Sequence, residues 1–135
     1  MKKQKFVQQS KIAVAGNSFG GILTILGSEK INFCAAVNAS GAAQSWSGTE
    51  ELQVILKNLV RKSNSPMIFF QPENDFDLSP SRVLTEEMKK AGKKFELKIY
   101  PAFGKSKQEG HSFAYKGSAI WAADVFYFLG QNCLK

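Results

Sequence analysis

The sequence predicts an α/β protein with three layers, α/β/α, in which helices cover both faces of a mostly parallel sheet of about four strands. Two observations predict this class. Short apolar runs are bounded by polar or glycine-containing turns, as is typical of buried parallel strands. Helical stretches separate these runs, and strands that alternate with helices pair in parallel through right-handed crossovers. The 135 residues suffice for one domain, 1–135, with its own core.

The first half of the chain predicts two strands, each followed by a helix. "KIAVA", residues 11–15, is the first strand, and a helix begins at Phe19. "FCAAVNAS", residues 33–40, is the second strand. Thr49 caps a helix that extends to about Arg61. Its apolar face repeats at i, i+3, i+4 and i+7, and consists of Leu52, Ile55, Leu56 and Leu59.

The second half repeats the alternation. Pro66 opens a third strand, "MIFFQ", and Ser79 caps a helix that ends near Gly92. "KFELKIY", residues 94–100, alternates as a fourth strand does. A long glycine-containing loop, residues 101–117, leads to a last helix. The face of that helix consists of Trp121, Val125, Phe128 and Leu129.

Composition excludes several classes of function. The net charge of +7 comes from scattered lysines and arginines, without a zinc-finger spacing or a basic helix, so we expect no nucleic-acid partner. No apolar run is long enough to cross a membrane. Cys34 and Cys133 are too few for a disulfide scaffold, and Cys34 is expected to be a buried small apolar residue. With one histidine and no CxxC pair, no metal site is expected.

The N-terminus is basic but does not resemble a signal peptide. Lys2, Lys3 and Lys5 are followed by only two apolar residues before Gln8, so the apolar segment that a signal peptide needs is missing. The expectation from the sequence as written is a cytoplasmic protein.

Three chemically complementary residues follow three of the predicted strands. Ser18 follows the first strand, Asp75 the third, with Asp77 two residues later, and His111, the single histidine, follows the fourth. Because ligands bind at the carboxyl edge of such sheets, we expect these side chains to meet. Serine needs a base to become nucleophilic, imidazole can supply it, and a carboxylate can orient the imidazole. Asp75 is favoured over Asp77, which is closer to the predicted helix start.

The glycines around Ser18 form the pattern G-x-S-x-G. It lies between a strand and a helix, as a nucleophile elbow does. A Cβ at position 16 or 20 is expected to collide with the tight turn, which explains Gly16 and Gly20. The backbone N–H of Phe19 at the helix start is the expected oxyanion donor. Trp46, in the loop after the second strand, is either a wall of the substrate pocket or a core or surface residue.

Together these segments resemble the C-terminal part of an α/β-hydrolase of the dienelactone hydrolase-like family. The resemblance rests on "KIAVAGNSFGG", "PMIFFQPENDFDLSPS" and "YPAFGKSKQEGHSF", and it runs over nearly the whole chain. It implies Ser18 as nucleophile, Asp75 as acid and His111 as base. It also implies hydrolysis of dienelactone-like or other small esters, without a metal or organic cofactor.

The chain departs from that family before the elbow, where an α/β-hydrolase usually has four or five more strands. The second oxyanion donor normally comes from this missing part, and its loss costs about 2.7–4 kcal/mol of transition-state stabilisation. The elbow strand, residues 11–15, then becomes a sheet edge, which favours a homodimer or association with a separate N-terminal half. The alternative to an active esterase is therefore a truncated, catalytically impaired remnant that acts only as a folded dimer or partner.

Overall fold

A computed structural model describes residues 4–135 and shows a four-stranded sheet with helices on both faces. Two single turns of 3₁₀ helix precede the first strand and follow the second. The strands are β1 (Val14–Asn17), β2 (Ala36–Ala39), β3 (Met67–Pro72) and β4 (Phe95–Tyr100). The helices are α1 (Phe19–Lys30), α2 (Glu50–Lys62), α3 (Ser79–Lys90), α4 (Lys107–His111), α5 (Phe113–Lys116) and α6 (Ser118–Cys133).

All four strands are parallel and lie in chain order, β1-β2-β3-β4. Right-handed crossovers that always step in the same direction place their helices on one face of the sheet. Accordingly α1, α2 and α3 enclose one apolar core, and α6 encloses the second core on the opposite face. Phe69 faces the first core, and its neighbour Phe70 faces the second. The expected three layers are confirmed.

Local signals set several of the helix ends. Thr49 Oγ1 accepts a hydrogen bond from Leu52 N, so it caps α2 as the sequence predicts. Helix α3 starts one residue before the predicted position, because Asp77 Oδ1 accepts from Ser79 N. After α3 the chain reverses at Gly92, whose φ of 66° lies in the left-handed region that glycine adopts without a steric penalty.

Two segments differ from the prediction. Residues Gln9–Lys11 form a 3₁₀ turn, so β1 begins at Val14 rather than at residue 11. The predicted loop 101–117 contains the short helices α4 and α5. Ser106 starts α4 by accepting from Glu109 N, and Glu109 Oε2 accepts from Ser106 Oγ and Lys105 N. This reciprocal capping box fixes a turn that its sequence, S-x-x-E, encodes.

The two cysteines form a disulfide, which corrects the expectation that Cys34 is only a small buried side chain. Cys34 lies just before β2, and Cys133 is the last residue of α6. Helix α6 lies across the β2–β3 face, which brings its C-terminus to the start of β2, and the two Cα atoms are 5.1 Å apart. The bond joins residues separated by 99 positions and ties α6 to the sheet.

Strand β1 is an edge of the sheet in the described part of the chain, and apolar surface lies on both sides of it. On one face, α1 exposes a stripe at i, i+4 and i+7, which consists of Phe19, Leu23 and Leu26. On the other face a groove of about 360 Å³ separates β1 from α6, with Ala15 on one wall and Phe126 on the other. An unpaired strand edge flanked in this way has the character of an interface.

Candidate active site

Ser18 lies at the sharp turn between β1 and α1. Its φ of 55° and ψ of −117° place it in a strained region for a residue with a side chain. Its backbone N–H donates to Ala39 O at 2.9 Å, which holds the turn against the end of β2. A Cβ at Gly16 would lie 2.1 Å from Gly20 O, so the turn requires glycine there, as expected.

The second glycine of the pattern behaves differently from the expectation. A Cβ at Gly20 would meet nothing within 4 Å, so no steric conflict requires glycine at that position. The required glycine is the next one, Gly21, where a Cβ would lie 2.7 Å from Gly41 Cα. Buried Asn38 joins these two segments, because its side-chain amide donates to Gly21 O and accepts from Gly41 N. Close packing of α1 on the loop after β2 therefore explains Gly21.

Asp75 lies in the loop after β3, and both of its carboxylate oxygens accept hydrogen bonds. Oδ1 lies 2.8 Å from His111 Nδ1 and also accepts from Phe76 N at 2.7 Å. Oδ2 accepts from Gln71 Nε2 at 3.1 Å. Asp77 instead caps α3 through Ser79, which is the role that the sequence suggested for it. The carboxylate beside the imidazole is therefore that of Asp75.

His111 ends helix α4, and its position depends on the contact between two loops. Asn74 donates to Phe103 O and Ser106 O and accepts from Phe103 N, which joins the loop after β3 to the loop after β4. A Cβ at Gly110 would lie 2.7 Å from Asn74 O, so glycine allows this close approach. The imidazole then lies edge-on to Phe76, with ring centroids 5.4 Å apart.

The three polar side chains form one hydrogen-bonded chain. His111 Nε2 lies 2.9 Å from Ser18 Oγ, and His111 Nδ1 lies 2.8 Å from Asp75 Oδ1. Asp75 is 4% exposed and His111 is 8% exposed, whereas Ser18 is only partly buried. Such an arrangement can pass the hydroxyl proton to the imidazole while the buried carboxylate stabilises the imidazolium.

Phe19 and Trp46, the two other predicted site residues, lie in different parts of the structure. Phe19 opens α1, where backbone N–H groups of the first turn have no acceptor within the helix, and it directly follows Ser18. Trp46 is 5% exposed and packs in the core under α1 and α2. Trp46 is not among the residues that line the two cavities beside Ser18, and its position agrees with the core alternative.

Gln71 is a site residue that sequence reasoning missed. Its side chain is fully buried at the end of β3, where Nε2 donates to Asp75 Oδ2 and to Asp77 O, and Oε1 accepts from Ser81 Oγ. It therefore holds the acid loop against the start of α3. A glutamine in the otherwise apolar strand "MIFFQ" was the available signal, because buried polar side chains are hydrogen-bonded.

One charged group next to the site is perturbed. The backbone N–H of Lys105 and the hydroxyl of Ser106 donate to Glu109 and hold the pKa of its carboxyl below the ordinary value of 4.5. Glu109 lies in the first turn of α4, two residues before His111, and it stays ionised to a lower pH than an unperturbed glutamate. Within residues 4–135, no cluster of three or more histidine, cysteine or acidic side chains could hold a metal ion. No helix of that region is long and apolar enough to span a membrane.

Comparisons with known proteins identify a family for the chain. The family model described as "Dienelactone hydrolase family" matches residues 1–132. None of the curated proteins compared with the sequence matches it. Among solved structures, the chain is similar to an acylaminoacyl peptidase of Pyrococcus horikoshii, with 14% identity and a TM-score of 0.75. That match covers 96% of this chain and 25% of the peptidase.

Two smaller hydrolases share the fold as well. An esterase of Pyrococcus furiosus has 15% identity and a TM-score of 0.68, over 91% of this chain and 54% of its own. An alpha/beta hydrolase enzyme from a Medee basin deep-sea metagenome library has 18% identity and a TM-score of 0.69, over 96% and 57%. The chain thus spans between a quarter and just over half of the length of these structures.

Proposed function

Because the chain belongs to the dienelactone hydrolase family, we propose that it is a serine hydrolase that cleaves ester bonds of small substrates. Ser18 is the proposed nucleophile, His111 the general base and Asp75 the residue that orients the imidazole. The observation that carries the proposal is the continuous contact from Ser18 Oγ through the imidazole to the buried carboxylate, with distances of 2.9 and 2.8 Å.

The proposed reaction has two halves. Ser18 Oγ attacks the ester carbonyl while its proton moves to His111 Nε2, and the oxyanion that forms accepts from the N–H of Phe19. The intermediate then collapses, the C–O bond to the alcohol breaks, and the alcohol oxygen takes the proton from His111. Water, deprotonated by His111, cleaves the acyl-serine in the same way and releases the acid.

A fluorophosphonate probe tests this proposal on the chain itself. We expect covalent labelling at one residue, identified as Ser18 by peptide mass spectrometry, and turnover of 4-nitrophenyl acetate. Ser18→Ala should remove both, while Ser47→Ala, which removes an exposed hydroxyl away from the site, is the matched control. Labelling that survives Ser18→Ala would refute the assignment of the nucleophile.

A second proposal is that the chain associates along β1, either with another copy of itself or with a polypeptide that supplies the N-terminal half of the fold. It is supported by the open strand edge and by the apolar surfaces on α1 and beside α6. In the impaired-remnant alternative, this association would be the main role and ester turnover would be near background. Light scattering of the pure chain tests self-association: a mass near 14.9 kDa would contradict the homodimer.

The disulfide is relevant to the cellular compartment in which the protein is located. Structural disulfides persist in oxidising compartments and are rare in the cytoplasm, so we propose an oxidising location in place of the cytoplasmic one expected from the sequence. Differential alkylation of the two thiols in cells, before and after reduction, distinguishes the two locations.

A further inference from the structure

Ser18 lies at two neighbouring cavities and lines both of them. The smaller has a volume of about 170 Å³, and its walls include Phe19, Ile22 and Ala42. The larger has a volume of about 350 Å³ and lies against His111. Ser18 and Gln44 line both cavities, so an ester whose carbonyl carbon is at Ser18 Oγ has room for one half in each.

The position of the imidazole decides which half of the ester enters which cavity. His111 Nε2 must return its proton to the departing alcohol oxygen, so that oxygen has to lie on the side of the imidazole. His111 lines only the larger of the two cavities. The alcohol half therefore occupies the larger cavity, and the acyl half occupies the smaller.

The smaller cavity limits the length of the acyl chain. Ile22 and Ala42 are 8% and 3% exposed and belong to the core, so this wall cannot recede without disturbing the packing of α1. A volume of 170 Å³ holds about six groups the size of a water molecule, whose share of liquid volume is about 30 Å³. The apolar wall and the small volume together select a short acyl group.

Apart from the imidazole of His111, the larger cavity is lined by uncharged polar groups. Its other lining residues carry carboxamides or hydroxyls: Asn17, Gln44, Gln108, Ser112 and Tyr115. Carboxamides and hydroxyls both donate and accept, as the hydroxyl groups of a polyol do. An anionic alcohol would find no lysine or arginine among the residues that line this cavity. Tyr115 is 76% exposed and adds a flat apolar face beside these polar groups.

From this division we propose that the substrate is a short-chain acyl ester of a neutral, hydroxyl-rich alcohol, such as an acetylated sugar. This inference rests on the proposed ester hydrolysis at Ser18 and adds the two subsites. The carboxamides of Gln44 and Gln108 contact the sugar hydroxyls, and the ring of Tyr115 lies against the sugar.

Binding to an inactive variant tests the subsites without turnover. Ser18→Ala is titrated with 6-O-acetylglucose while its NMR spectra are recorded. We expect chemical-shift changes at the side-chain amides of Gln44 and Gln108 and at the ring of Tyr115. Gln108→Ala and Tyr115→Ala, each combined with Ser18→Ala, should weaken binding about fivefold, which corresponds to the net contribution of one hydrogen bond or ring contact.

Matched substitutions and ligands sharpen the test. Gln8→Ala and Tyr127→Ala replace an exposed glutamine and tyrosine that line neither cavity and should leave binding unchanged. Acetylsalicylate, whose alcohol half carries a carboxylate, and 6-O-octanoylglucose, whose acyl chain is too long, should bind at least tenfold more weakly than the acetylated sugar. Equal binding of all three ligands would overturn the proposed substrate class.

The outcome for the subsites is separate from the outcome for the hydrolase. If the fluorophosphonate labels Ser18 but no shifts occur at the cavity residues, the substrate class is wrong and the hydrolase proposal stands. If the shifts occur but the probe does not label Ser18, the sugar site stands and the proposed reaction is wrong. If neither occurs, both proposals are refuted.

Discussion

Reduction of the Cys34–Cys133 disulfide is expected to lower the free energy of unfolding by about 4.7 kcal/mol at 25 °C. The bond closes a loop between residues separated by 99 positions, and a cross-link over about 100 residues removes that much conformational freedom from the unfolded chain. The free energy of unfolding of a small domain is about 5–15 kcal/mol in total, so this loss is a large fraction of it.

Urea unfolding, followed by tryptophan fluorescence and circular dichroism, measures the effect. The oxidised protein is compared with the reduced protein, which keeps both sulfur atoms, and with the double variant Cys34→Ser/Cys133→Ser. We expect the midpoint to fall in both comparisons. The free energy of unfolding should fall more steeply with urea concentration, because the chain without the cross-link exposes more surface when it unfolds.

Two results would refute this reasoning. If the native, unreduced protein reacts with two equivalents of an alkylating agent, the bond is absent. If the bond is present but reduction changes the free energy of unfolding by less than about 1 kcal/mol, the bond stabilises the chain less than loop closure requires. Near-equal stabilities of the reduced protein and the double serine variant would show that the cross-link, rather than sulfur packing, accounts for the loss.

Three further predictions concern side chains that hold the site and the helices. Asp75→Asn should lower kcat about 10⁴-fold in steady-state assays. Asp77→Asn keeps a side-chain oxygen that accepts from Ser79 N, so it should leave kcat within about threefold and change the free energy of unfolding by less than about 1 kcal/mol; equal losses of activity would contradict the assigned roles. Gln71→Leu should lower the free energy of unfolding by about 2–3 kcal/mol, measured in urea, because it leaves buried polar partners unsatisfied; an unchanged midpoint would contradict this role. Arg61 donates a hydrogen bond to Glu87 and lowers the pKa of that carboxyl below its ordinary 4.5. The resulting stabilisation is present above pH 4.5 and disappears as the pH falls through the lowered pKa. In thermal melts across this range, Glu87→Gln should lose less stability on acidification than the unchanged protein, and identical pH profiles would refute the assignment.

Local patterns predicted the sheet and the order of the polar residues at its edge. Each apolar run became a strand because these runs are bounded by turn residues, and parallel pairing brought their carboxyl ends together. The same rule predicts that Ser18, Asp75 and His111 lie near one another. The choice of Asp75 over Asp77 followed from the distance of each to the helix start.

Contacts between distant segments could not be predicted in the same way. The disulfide depends on the path of α6 across the sheet, which no local pattern gives. The steric need for Gly21, rather than Gly20, comes from the loop after β2, more than fifteen positions later. Helix α4 differs, because a local pattern encodes its start: Ser106 and Glu109 form the S-x-x-E capping box within the predicted loop 101–117.

The edge position of β1 also affects the dynamics of the site. The proposed nucleophile follows β1, a four-residue edge strand that pairs with β2 alone in the described part of the chain. The acid follows β3, which pairs with a strand on each side, and the base lies on α4, after the other edge strand, β4. The cross-link begins at Cys34, so it encloses Asp75 and His111 and leaves β1 and Ser18 outside the closed ring. Segments with few supporting contacts open far more often than the whole molecule unfolds. Amide exchange in β1 should therefore be faster than in β3, and local opening of this strand would separate Ser18 from its partners while the rest stays folded.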